Sequence, residues 1–113
     1  MHEAGLIQSM LATAEREARR AGGARIELVR LRVGRLSAVV PEALEHAFEA
    51  LKAGTMAAGA AMDVEYVPGV LFCATCERDF TTEDLIGECP TCGAPSGFVK
   101  DGMDVQLMSL EVS

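Results

Sequence analysis

Aromatic residues are scarce in this sequence, which contains four Phe, one Tyr and no Trp. Half of its 113 residues are nevertheless hydrophobic, so Leu, Val, Ala and Met must fill the core. A chain of this length is expected to bury one main core. A smaller module beside that core would need a further source of stability, such as a bound metal.

Basic residues are also few, since ten Lys and Arg stand against seventeen Asp and Glu, and the formal net charge is −7. A protein that binds nucleic acid needs a basic surface to displace counterions from phosphates. The segment around the cysteines has one basic residue, Arg78, and five acidic ones: Glu77, Asp79, Glu83, Asp84 and Glu88. The charge therefore disfavours nucleic-acid binding.

Several functional signals are missing from the chain. No basic stretch followed by an apolar run opens it, and no run approaches the roughly 18 apolar residues of a membrane span. It has no Gly-x-x-x-x-Gly-Lys-Ser/Thr loop for nucleotide hydrolysis, and its two histidines fit no catalytic triad pattern. We therefore expect a soluble, cytoplasmic protein that is not an enzyme.

All four cysteines fall in two Cys-x-x-Cys pairs, Cys73 with Cys76 and Cys89 with Cys92. Two such turns can close a tetrahedron of thiolates, the geometry that Zn²⁺ accepts. We predict a zinc ribbon with these four ligands and a short hairpin within residues 79–87. Four thiolates also suit a single iron ion, so the spacing leaves the metal open. Four protein ligands leave no position for a substrate, which predicts a structural role.

Hydrophobic periodicity predicts two helices and three strands outside the ribbon. The helices are expected at 4–21 and from Pro41 to just before Gly54, and the strands at 26–33, 62–67 and 103–112. This order predicts an α+β fold, a small three-stranded sheet with two helices on one face and an inserted zinc ribbon. Residues 1–69 and 99–113 are expected to form one domain and 70–98 the other, with the last strand beside the strand at 62–67.

Two histidine-containing segments are candidate metal sites. His46 lies beside Glu42, Glu45 and Glu49, which could hold a divalent cation weakly, although an ordinary solvated helix face is the favoured interpretation. At the start, Met1-His2-Glu3 offers an α-amine, an imidazole and backbone nitrogens that can wrap one ion. Square-planar nitrogen sites suit Ni²⁺ or Cu²⁺. Chain ends usually fray, so this motif establishes nothing by itself.

The order of several short motifs along the chain makes a metal site at Met1-His2-Glu3 a stronger hypothesis. They are Met1-His2-Glu3, Val33-Gly34, Val40-Pro41-Glu42-x-Leu44, Ala47-Phe48-Glu49-x-Leu51, Gly54-Thr55, Cys73-x-x-Cys76 and Cys89-Pro90-x-Cys92-Gly93. Together they resemble, from end to end, the HypA/HybF family of nickel-incorporation proteins in [NiFe]-hydrogenase maturation. Two departures stand out: Arg35 replaces an acidic residue common in the family, and Glu77 replaces a common glycine.

The resemblance implies a nickel metallochaperone with two unlike metal sites. Nickel would be bound by His2 with the Met1 amine, and Glu3 would contribute through its backbone nitrogen or by tuning the site. The cysteines would bind structural zinc. The implied partners are the GTPase HypB and the hydrogenase large-subunit precursor, and the chain would be a monomer or a homodimer. The alternative is a zinc-ribbon adaptor that binds protein or nucleic acid without nickel.

Overall fold

The computed structural model describes residues 3–113, so Met1 and His2 lie outside the described residues. A 3₁₀ turn at Arg35–Ser37 separates the first strand from the second helix. The other elements are, in chain order, α1 (Glu3–Arg20), β1 (Ile26–Gly34), α2 (Pro41–Leu51), β2 (Ala61–Val67), β3 (Gly69–Cys73), β4 (Arg78–Thr82), β5 (Gly87–Glu88), β6 (Pro95–Ser96), β7 (Val99–Asp101) and β8 (Val105–Val112). Among the described residues, no helix is long and apolar enough to cross a membrane.

Helix α1 follows the predicted amphipathic pattern. Its buried side chains recur at helical spacing: Ile7, Met10, Leu11, Ala14 and Ala18. The helix ends because Gly22 adopts a φ of +79°, which a residue without a Cβ tolerates best. The N–H of Gly22 then donates to the carbonyl of Arg19, and that of Gly23 to the carbonyl of Ala18, so the last turn is closed by hydrogen bonds.

The core is built from both helices and from strand β1. Pro41 occupies the first turn of α2, where its missing N–H costs nothing, and Leu44 and Phe48 are the buried residues of that helix. The buried face of β1 alternates as predicted, through Val29, Leu31 and Val33. The α+β fold class predicted from the sequence is therefore confirmed.

The order of strands in the main sheet differs from the prediction. The sheet runs β2-β1-β8, so the last strand pairs with β1, and the predicted pairing of that strand with residues 62–67 is wrong. Backbone hydrogen bonds join Arg25 to Ser113 at one end and Gly34 to Asp104 at the other, so β1 and β8 are antiparallel. The most buried strand takes the centre, and Arg30 forms a 2.7 Å ion pair with Glu111 of β8.

The chain divides into two compact units. The first, called here the sheet unit, comprises residues up to Leu31, Val39–Glu65 and Gln106–Ser113. The second, called the cysteine unit, comprises Arg32–Ala38 and Tyr66–Val105. The domain boundaries predicted from the sequence, 70–98 inserted between 1–69 and 99–113, stay a prediction.

The cysteine unit contains two small sheets. One has the order β4-β3-β7 and the other pairs β5 with β6, and all of these pairings are antiparallel. The hairpin lies across the first cysteine pair, because Cys73 of β3 is the register partner of Arg78 of β4. The hairpin predicted within residues 79–87 is therefore misplaced. A Cys-x-x-Cys turn is itself tight enough to reverse the chain, so no further turn was needed there.

Glycines allow three backbone segments to meet in the cysteine unit. A Cβ on Gly34 would lie 2.1 Å from the carbonyl oxygen of Gly102, and a Cβ on Gly102 would lie 2.6 Å from the Cα of Gly69. Gly34 has an ordinary extended φ of −72°, so a close backbone approach, and not its own conformation, requires glycine there.

Candidate metal centre

The two sheets of the cysteine unit bring the four cysteines to one point. Cys73 is the last residue of β3, and Cys76 follows in the turn to β4. Cys89 directly follows β5, and Cys92 lies in the loop before β6. Their four sulfurs all lie within 4.8 Å of one another. Among residues 3–113 no other group of three or more His, Cys, Asp or Glu side chains could hold a metal ion.

The distances between sulfurs fit one tetrahedral metal ion. The Cys73 and Cys92 sulfurs are 3.6 Å apart, and those of Cys76 and Cys89 are 4.0 Å apart. Four sulfurs around a metal at about 2.3 Å would be separated by roughly 3.8 Å. A disulfide would need about 2.05 Å, and all four cysteines are free thiols. The donor set therefore fits Zn²⁺ or a single iron, and the sulfurs form no disulfide.

Both cysteine turns are shaped by backbone hydrogen bonds. In the first, the N–H of Cys76 donates to the sulfur of Cys73 at 3.4 Å. In the second, the N–H of Gly93 donates to the carbonyl of Cys89 at 2.8 Å, and the N–H of Cys89 to that of Ala94 at 2.9 Å. These bonds shape each turn so that its two sulfurs point to the same place.

The residue that follows each pair adopts a left-handed conformation. Gly93 has a φ of +75° and Glu77 a φ of +54°. Glycine adopts this conformation without a Cβ clash, so a glycine would be favoured at either position. Glu77 is strained by roughly 1–2 kcal/mol for the same reason.

We expect Glu77→Gly to raise the stability of the protein. Relief of about 1–2 kcal/mol of strain is offset by about 0.4–1 kcal/mol of extra freedom in the unfolded chain, which leaves a net gain of about 0.5–1 kcal/mol. The measurement is the free energy of unfolding in denaturant with metal bound. Glu77→Ala is the matched control, because it removes the same charge but keeps the Cβ. An equal gain in both variants would assign the effect to charge and not to conformation.

Two of the thiols, Cys89 and Cys76, differ in how tightly they hold their protons. Backbone N–H groups of Cys92 and then Thr91 donate to the sulfur of Cys89 and lower the pKa of that thiol from 9.0 to about 6. A side-chain hydrogen bond with Cys92, followed by burial, raises the pKa of Cys76 from 9.0 to about 12. A metal ion that binds Cys76 must displace its proton, so metal binding is favoured as the pH rises.

The cluster also belongs to the core of its unit. Cys73 and Cys89 are buried together with Leu71 and Phe80, whereas Cys92 is exposed. Partly buried Cys76, Ala94 and Val99 pack against this group. Metal binding and hydrophobic packing therefore stabilise the same small core, which is the arrangement expected of a structural site.

The predicted nickel ligands are only partly described. Met1 and His2 lie outside the described residues, while Glu3 begins α1. The carboxylate of Glu3 accepts a hydrogen bond of 3.0 Å from the backbone N–H of Val40, the N-cap residue of α2. Val40 has no side chain that could cap this helix, so Glu3 supplies an acceptor from a distant part of the chain. Sequence reasoning missed this contact, and no local motif signals it.

His46 is exposed on α2, as are Glu42, Glu45 and Glu49. These residues form no metal-binding cluster in the described part of the chain. The favoured interpretation of a solvated helix face agrees with this exposure.

The chain is similar to known proteins over its full length. A family model described as "Hydrogenase/urease nickel incorporation, metallochaperone, hypA" matches residues 1–112. Hydrogenase maturation factor HypA of Picosynechococcus sp. is 43% identical over 112 residues, covering 99% of this chain and 99% of the relative. HypA of Dechloromonas aromatica is 38% identical with the same coverage.

Solved structures agree with these sequence matches. The solution structure of the Ni metallochaperone HypA from Helicobacter pylori superposes with a TM-score of 0.70 at 27% identity, covering 99% of this chain and 97% of that one. A second solution structure of a HypA protein gives a TM-score of 0.71 at 26% identity, covering 100% of this chain and 97% of that one.

Proposed function

Since the chain belongs to the HypA family of hydrogenase and urease nickel-incorporation metallochaperones, we propose that it binds Ni²⁺ at its N-terminus and delivers it during [NiFe]-hydrogenase maturation. The resemblance predicted from the sequence is confirmed, and the chain is a maturation factor, not an enzyme. The observation that carries the proposal is the match over residues 1–112, which includes the Met1-His2-Glu3 motif.

The proposed nickel ligands are the Met1 amine, the His2 imidazole and backbone nitrogens of His2 and Glu3. The Glu3 carboxylate bonds the N–H of Val40, and ligation through that carboxylate would compete with this bond. The backbone nitrogen is therefore the better ligand.

The cysteine cluster has a different role in this proposal. Cys73, Cys76, Cys89 and Cys92 would hold Zn²⁺, which would stabilise the cysteine unit and take no part in nickel transfer. A zinc ion with four thiolates has no open position for a further ligand. Free thiols also suit the cytoplasm, where we place the protein.

The proposed partners are the GTPase HypB and the hydrogenase large-subunit precursor. The chain lacks a phosphate-binding loop of its own, so a separate protein would have to supply nucleotide hydrolysis. This division of work is consistent with a metallochaperone that carries the ion while a partner controls its transfer.

A nickel titration followed by absorption tests this function, with the two histidines as a matched pair. We expect one Ni²⁺ per chain in addition to zinc, and the nickel spectrum should disappear in His2→Ala. His46→Ala should bind nickel unchanged, because His46 is exposed and belongs to no ligand cluster among residues 3–113. A tenfold loss in His46→Ala, about 1.4 kcal/mol, would place the site on α2. Unchanged nickel binding in His2→Ala would place the nickel site elsewhere, and a parent protein that binds no nickel would favour the adaptor alternative.

A further inference from the structure

Three large apolar side chains are exposed at one end of the β5–β6 ladder. Gly87 pairs with Ser96 and Glu88 with Pro95, and Leu85, Ile86 and Phe98 lie just beyond these two pairs in the chain. The Ile86 side chain lies 3.7 Å from where a Cβ on Gly97 would stand. Leu85, Ile86 and Phe98, called here the ribbon patch, are 52%, 71% and 62% exposed.

The fold holds the patch in place. The N–H of Phe98 donates to the hydroxyl of Ser96 at 3.2 Å, and its carbonyl accepts the N–H of Phe72 at 2.9 Å. The rings of Phe72 and Phe98 meet edge to face with their centroids 5.7 Å apart. A single exposed apolar residue needs no explanation, but adjacent ones on a fixed ladder are typical of a binding surface.

An open groove of about 430 Å³ lies next to the patch and could seat an apolar side chain. Its lining is apolar or small: Phe72, Cys73, Ala74, Thr75, Ala94, Pro95, Ser96, Gly97 and Phe98. A buried apolar anchor in such a pocket is the usual centre of a protein interface.

Most charged side chains near the patch are acidic, although Lys100 lies close by, with its Nζ 5.5 Å from the centroid of the Phe72 ring. Between residues 79 and 99 the sequence has no Lys, Arg or His, but it has Asp79, Glu83, Asp84 and Glu88, all exposed. Asp84 directly precedes the patch, and its backbone is held by two hydrogen bonds with the Thr82 hydroxyl, at 3.0 and 3.1 Å. Like charges facing each other across an interface are unfavourable, which disfavours a second copy of this chain, a nucleic acid or an anionic membrane as the occupant.

We propose that the ribbon patch docks a cationic amphipathic segment of a partner protein. Apolar side chains of that segment would cover Ile86 and Phe98 and enter the groove, while Lys or Arg residues would face Glu83 and Asp84. Neither the patch nor the groove includes a proposed nickel ligand. The inference therefore stands or fails independently of nickel binding.

Three short synthetic peptides test the chemistry of the occupant against the full chain with zinc bound. One alternates Lys with Leu and Phe, the second replaces its Lys by Glu, and the third replaces its apolar residues by Ser. We expect only the first to bind, measured by fluorescence anisotropy, and to bind more weakly in high salt. Backbone NMR shifts should concentrate at residues 84–87 and 96–99.

Substitutions locate the binding. Ile86→Ser and Phe98→Ser should each weaken binding of the first peptide about tenfold, or 1.4 kcal/mol. Met108→Ser is the matched control, because Met108 is 56% exposed on β8, and it should change nothing. Unfolding curves and zinc content should stay normal in Ile86→Ser, whose side chain is mostly in solvent.

The following results of these experiments would overturn the proposal. Equal binding of the Ser-containing peptide would mean charge attraction alone, and equal binding of the Glu-containing peptide would exclude a cationic partner. No binding, or shifts outside the patch, would show that this surface is not a docking site. Dimerisation abolished by Ile86→Ser would identify a second copy as the occupant.

Discussion

A single residue added ahead of Met1 is expected to weaken nickel binding as severely as His2→Ala. The extension turns the Met1 amine into an amide and moves the free amine out of register, while His2 and Glu3 remain unchanged. Even changes to groups that only support metal ligands cost 10–100-fold in affinity, so losing a ligand should cost about a hundredfold or more. That corresponds to at least roughly 2.7 kcal/mol. Competition titration with a nickel chelator gives the affinity.

The controls separate the amine from other effects of a tag. A C-terminal tag should leave nickel affinity unchanged, and all variants should keep normal zinc content. Affinity should fall on acidification, because protons compete for an amine with an ordinary pKa near 8 and an imidazole near 6.5. An extended protein that binds nickel as tightly, with the same spectrum, would show that the amine is not a ligand. The site would then have to be rebuilt from side chains.

Removal of any one cysteine is expected to release the metal and unfold the cysteine unit. Structural zinc contributes about 10–16 kcal/mol in small zinc modules at neutral pH, which exceeds what four buried core residues supply. Cys92→Ala is the cleaner variant, because Cys92 is exposed and contributes little packing, whereas Cys73 is buried beside Leu71. Cys73→Ala should therefore be the more damaging, since it loses both metal and packing.

Elemental analysis and amide hydrogen exchange measure this outcome. The parent should contain one zinc per chain, and the variants none. Exchange protection should collapse in the cysteine unit and persist in α1, whose buried face belongs to the sheet unit. Thr75→Ala is the control for Cys73→Ala, because Thr75 lies in the same Cys-x-x-Cys turn as Cys73. Full zinc content and full exchange protection in Cys92→Ala would contradict a four-cysteine site. Iron in the parent would show that the bound metal is iron and not zinc.

Local signals were sufficient for most elements and for the cysteine cluster. Helical spacing of Ile7, Leu11, Ala14 and Ala18 predicts α1, and the alternation of Val29, Leu31 and Val33 predicts β1, because each pattern reflects one buried face. The cysteine spacing likewise predicts a shared site, since each turn presents two sulfurs to one point. These features depend on residues close together in the chain.

Short-range sequence patterns could not predict the pairings between residues that are distant in the chain. Nothing near residue 105 indicates that β8 would pair with β1 and not with β2, because both strands offer suitable hydrophobic alternation. The choice depends on contacts such as Arg30 with Glu111, which join positions 81 residues apart. The hydrogen bond from Val40 to Glu3 is missed for the same reason.

The sequence by itself thus determined the family, the four metal-binding cysteines, the two helices and the acidic character, because these depend on composition and short-range spacing. The tertiary structure alone decided the strand order, the acceptor that Glu3 provides for Val40 and the exposure of Leu85, Ile86 and Phe98. It also explains why the last residue of β1, Gly34, is a glycine. Its extended φ would suit any residue, but the carbonyl of Gly102 occupies the space that a Cβ would need. Close approach between distant backbones leaves no periodic trace in a sequence.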